Sequence, residues 1–60
     1  MLEDFEIIKA LDCIYNIFDR LDGMKHEFLS KNPSAGYLQE KIKPALHDMN
    51  VLNEIIKKMD

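Results

Sequence analysis

The stretch IIKALDCIYNIFDRLDGMKHEFL, residues Ile7 to Leu29, decides how this chain folds. Ile7, Leu11, Ile14, Phe18, Leu21 and Phe28 recur at heptad positions, and Lys25 stands where the repeat places one more member. Apolar residues alternating in steps of four and three form the seam of one long α-helix. Two further apolar sets flank that seam: Ile8, Tyr15 and Leu29 on one side, Ala10, Ile17 and Met24 on the other. The helix therefore carries more apolar surface than a single neighbouring helix covers. Its outward positions, Lys9, Asp12, Cys13, Asn16, Asp19, Arg20, His26 and Glu27, read as a solvated face. Gly23 falls opposite the seam and weakens the helix by about 1 kcal/mol relative to alanine.

Upstream, Glu3, Asp4 and Glu6 suit a helix start, where the dipole favours negative charge. Downstream, Asn32-Pro33-Ser34-Ala35-Gly36 is the one turn cluster. Asn32 can cap a second helix with Pro33 at its first position, and Ser34 is a second candidate cap. The second helix has its own seam: Leu38, Ile42, Ala45, Met49, Leu52, Ile56 and Met59. Pro44 lies inside it, and an interior proline either kinks or breaks a helix. The seam keeps its phase across Pro44, which favours a kinked, continuous helix. The reading is all-α: an antiparallel two-helix hairpin with a helix over about 3–30, a turn over about 31–34 and a Pro44-kinked helix over about 35–59. One domain spans residues 1–60. The antiparallel register brings Lys57 and Lys58 towards Glu3, Asp4 and Glu6.

A chain of 60 residues buries only about 60% of its unfolded surface, so its fold is marginal without help. The one cysteine closes no internal disulfide, and no cysteine–histidine cluster suits zinc. Completion by more helices remains: dimerisation into a four-helix bundle, or the helices of another protein. The partner-facing residues are expected to be Ile8, Tyr15, Ile17, Met24 and Leu29. The net charge of −3 argues against a general nucleic-acid binder. The acidic start differs from a signal or transit peptide, and no apolar run reaches the ~20 residues of a membrane span. A cytoplasmic location, with no membrane partner, fits the lone Cys13.

Catalytic and ligand chemistry find no support. His26 and His47 each precede an acid, but neighbouring helical residues diverge by about 100°, so neither dipeptide makes a two-ligand site. Cys13 has no histidine within helical reach and reads as an inert thiol at the core edge. Ser30, Ser34 and the glycines form neither a nucleophile elbow nor a phosphate loop. No cofactor, metal, small-molecule substrate or enzymatic activity is expected. Met24, Met49 and Met59 fill core or make an adaptable surface. Lys25, Lys31, Lys41 and Lys43 make the turn end mildly basic, an ordinary mixed surface or a tip for RNA or an acidic partner.

The pattern Leu21-x-x-Met24-Lys25-His26-Glu27-Phe28-Leu29, then Tyr37, Ala45-Leu46 and Ile55-Ile56, resembles the small co-chaperones of type III secretion needle subunits. The similarity spans about residues 21–56. It implies an acidic helical hairpin acting as adaptor with a larger chaperone in the bacterial cytoplasm, the surplus apolar residues of the first helix meeting that chaperone. The architecture is also similar to that of Rop-type plasmid copy-number regulators, homodimeric four-helix bundles that bind RNA. That likeness implies an alternative role as a phage or plasmid regulator.

Overall fold

The computed structural model describes residues 2–59 as two α-helices, α1 over Asp4–Phe28 and α2 over Ala35–Lys57, joined by residues 29–34. Each boundary has a local cause. Asp4 and Glu6 occupy the first turn of α1, and Lys25 and His26 its last, both matching the helix dipole. Glu6 Oε1 accepts the Glu3 N–H at 3.1 Å, the return arm of a capping box. Glu27 organises the exit. Its carbonyl accepts from Ser30 Oγ at 2.6 Å and from the Ser30 N–H at 3.1 Å. Its carboxylate accepts the Ser34 N–H at 2.8 Å. Ser34, not Asn32, then caps α2: its Oγ accepts the Tyr37 N–H at 3.3 Å. Asn32-Pro33 belongs to the connection, which contains no positive-φ residue.

α2 runs unbroken through Pro44. The proline removes one backbone donor, but the residues after it pack on α1 in phase with those before it, so the chain continues as helix.

The helices are antiparallel, and named pairs fix their register. Lys58 Nζ lies 3.0 Å from Glu6 Oε2 at the terminal end. Arg20 Nη1 lies 3.1 Å from Asp48 Oδ2 near the middle and also donates to the Asn16 carbonyl at 3.2 Å. Towards the turn, Gly23 stands opposite Tyr37 and Lys41. Lys57 pairs within its own helix, 3.3 Å from Glu54. The hairpin measures 47 × 14 × 14 Å.

Small, charged and aliphatic side chains together make the contact between the helices. The buried apolar residues are Cys13, Ala45 and Ile55, and Glu6 is buried beside them. Cys13 thus leaves the solvated face on which its spacing placed it, and half-buried Asn16, Arg20, Gly23 and Glu27 move with it. The reason is steric and electrostatic together. Ala10, Cys13, Gly23 and Ala45 let two backbones approach, and the charges on the same faces find opposite charges across the gap.

Two predictions follow from this seam. A Cβ at Gly23 would meet Tyr37 Oη at 3.5 Å and Lys41 Cε at 3.8 Å, ordinary contact distances. Gly23→Ala should therefore stabilise the hairpin by about 1 kcal/mol in denaturant unfolding; a loss of stability would show that Tyr37 cannot yield. Glu6 titrates below its usual 4.5, chiefly through the Glu3 N–H bond and then the Lys58 ammonium, with burial opposing both. A carboxylate depressed by folding stabilises above its unfolded pKa and loses that contribution as pH falls through its folded one. The melting-temperature gap between the parent and Glu6→Gln should be widest near neutrality and shrink below pH 4.5. A gap that stays constant through that acid range would rule out linkage at Glu6.

Candidate protein-interaction face

On α1 the residues turned towards α2 are Glu6, Ala10, Cys13, Ile17, Arg20, Met24 and Glu27. Each stands one position before a member of the apolar stripe Ile7, Leu11, Ile14, Phe18, Leu21, Lys25 and Phe28. The same offset recurs on α2, where Lys41, Asp48 and Ile55 face α1 and precede Ile42, Met49 and Ile56. One residue on an α-helix is a rotation of about 100°. The rotation has the same sense about each helix, and the helices point in opposite directions. Both stripes therefore swing to the same side of the hairpin.

The outcome is one apolar face. Ile7, Leu11, Ile14, Phe18, Leu21 and Phe28 are exposed on it, Phe18 by 65%, together with Ile42, Met49 and Ile56 of α2. The seam expected between the helices is thus their open surface; only Leu38, Ala45 and Leu52 of the α2 seam are buried or half-buried. The opposite side of the hairpin carries Lys9, Asp12, Asp19 and His26 of α1 with Glu40, His47 and Glu54 of α2, all exposed. Phe5 is the apolar exception there. His26 Nε2 lies 3.4 Å from Asp22 Oδ2 along the outer side of α1. Monomeric proteins rarely leave so large a contiguous apolar surface open.

The partner-facing residues read from the sequence divide into two groups. Ile8, Tyr15 and Leu29 are exposed beside the apolar stripe, Tyr15 by 74%. Ile17 and Met24 are half-buried in the contact with α2. The stripe itself, which sequence reasoning assigned to α2, is exposed. A signal for this was present. Glu6, Arg20, Asp48 and Lys58 recur on the heptad positions one residue before the stripes, and in antiparallel register they are complementary.

The four lysines of the turn end are not brought to one surface. Lys25 interrupts the apolar stripe, Lys31 lies in the connection, and Lys41 reaches into the helix–helix gap with its Nζ 5.3 Å from the Tyr37 ring centroid. Lys43, two positions beyond Lys41, turns to the outside of α2. Among the described residues no three His, Cys, Asp or Glu side chains converge on a point, and no helix is long and apolar enough to cross a membrane.

No family model matches the chain, and it finds no match among curated proteins or solved structures.

The two groups of predicted partner residues should separate experimentally. In chain dilute enough to be monomeric, Ile17→Asp should cost about 2 kcal/mol or more, because it puts a carboxylate between the helices. Tyr15→Asp should stay within about 0.5 kcal/mol of the parent. Equal losses in urea unfolding would mean that Tyr15, too, is packed within the hairpin.

Proposed function

We propose that this chain is a non-enzymatic protein–protein interaction module whose long first helix packs on partner helices, an adaptor or co-chaperone of cytoplasmic type. One observation carries the reading: the bulky stripe of α1 and the Ile42, Met49 and Ile56 side of α2 lie on one exposed face, while the helices meet through Cys13, Ala45, Ile55 and the charged pairs. A protein built to stand alone buries its largest apolar side chains. Here Phe18, Leu21 and Phe28 are left for something else to cover. Helix-on-helix recognition suits them, because their spacing fits the grooves of another helix. The resemblance to needle-subunit co-chaperones supplies a first candidate partner class, a larger helical chaperone seated on the same face.

Phe18→Asp and Asp19→Asn test the reading as a pair, one on the apolar face and one on the side beyond it. Helicity and melting temperature of the parent should rise with chain concentration or with an added helical partner. Phe18→Asp should abolish that rise, and Asp19→Asn should keep it. If Phe18→Asp behaves like the parent at every concentration and with every partner tested, the face is not an interface and the proposal fails.

A further inference from the structure

We infer that the occupant of the apolar face is a second copy of this chain, packed with its turn at the opposite end, so that α1 lies antiparallel on α1 and α2 on α2. The inference deepens the reading above and rests on it.

The area asks for an occupant of this size. A compact 7.0 kDa protein exposes about 4,000 Å² by the usual scaling, whereas this hairpin exposes 4950 Å². The excess of roughly 900 Å² matches the ~800 Å² that each partner contributes to a standard interface. Covering the face with an identical face removes the excess from both copies at once.

The stripes also fit themselves. A 4-3 stripe reads alike in both directions, so it can meet its own copy about a two-fold axis, and the uncharged run sets where the axis falls. On α1 that run extends from Ile7 to Leu21 and is centred on Ile14. The axis then sets Ile7 against Leu21 and Leu11 against Phe18 of the second copy. Glu6 opposite Lys58 and Gly23 opposite Lys41 put Ile14 level with Asn50 and Val51 of α2. On α2 the open part of the stripe, Ile42, Met49 and Ile56, is centred on Met49, one residue from that level. One axis therefore serves both helices.

Charge selects this arrangement over two turns at the same end. Residues 17–47, the turn half, hold five basic residues against four acidic; the remainder holds three against seven. Turns at one end would stack like on like, and turns at opposite ends pair a basic half with an acidic one. The sole charge within the stripe, Lys25, is placed by the axis beside Glu3 and Asp4 of the second copy. Those two acids make no ion pair among the described residues.

Mass by light scattering, dimer dissociation by dilution, and one distance test this. Lys25→Glu should loosen the dimer about tenfold, and Asp4→Lys added to it should restore affinity to within about threefold. In a Cys13→Ala background, spin labels at Asn32→Cys should lie about 45 Å apart, since the turns sit at opposite ends of the bundle. Separations below about 20 Å would overturn the arrangement, because they require turns at one end. A chain that is monomeric and poorly helical, and folds only with one coexpressed protein, overturns the second-copy assignment but leaves the interaction module standing. A chain that is monomeric, fully helical and indifferent to Phe18→Asp overturns both.

Discussion

The offset of one residue between what joins the two helices and what they leave open governs the rest of the structure. Glu6 and Lys58, and Arg20 and Asp48, are charge pairs across the hairpin at 3.0 and 3.1 Å, and each stands one position before a bulky apolar residue or at the edge of the stripe. Once those pairs form, helix geometry sends Ile7, Leu21 and Met49 about 100° away, all to the same side. The pairs are only partly buried, so each adds little to stability by itself. Their larger effect is choice. They decide which of two adjacent heptad faces is internal.

Small residues make that choice possible. Cys13 and Ala45 are among the most buried residues of the contact, with Ile55. A seam of this kind gives close backbone approach but little apolar burial. The side chains that could supply a core, Phe18 and Leu21 foremost, lie outside it. Any partner that covered the open face would add the apolar burial that the contact between the helices does not supply.

Much of this was legible in the chain. Helical periodicity, the turn cluster at 32–36 and the phase of the α2 seam across Pro44 give a first helix over about 3–30 and one continuous second helix over about 35–59, against α1 at Asp4–Phe28 and α2 at Ala35–Lys57 in the structure. The rotation of each helix was not legible from apolar spacing. A heptad of large residues and a heptad of small and charged residues run side by side on α1. Apolar weighting alone assigns the first to the nearest neighbour. Two features correct it: the smallness of Ala10, Cys13 and Gly23, and the complementarity of charges 28 and 52 residues apart in sequence. Glu27 was equally hidden. Its bonds to Ser30 and Ser34 depend on the path of the turn, which periodicity does not describe.

The width of α1 has a separate meaning. Ile8, Tyr15 and Leu29 lie beyond the stripe, on the side away from α2, and all three are exposed. In a two-layer arrangement the stripe of α1 meets the facing helix, while residues a further rotation out reach only the rim. Tyrosine suits such a place, with an apolar ring to cover the edge of a core and a hydroxyl left in water. Ile8 and Leu29 have no polar end to offer, and they flank Tyr15 along the same edge. α2 has only Leu46 at the corresponding place, exposed by 57%. The apolar rim is therefore one-sided. A two-layer bundle covers the stripes and leaves the α1 edge the most apolar part of what remains, so α1 is the helix through which the assembly would meet anything further.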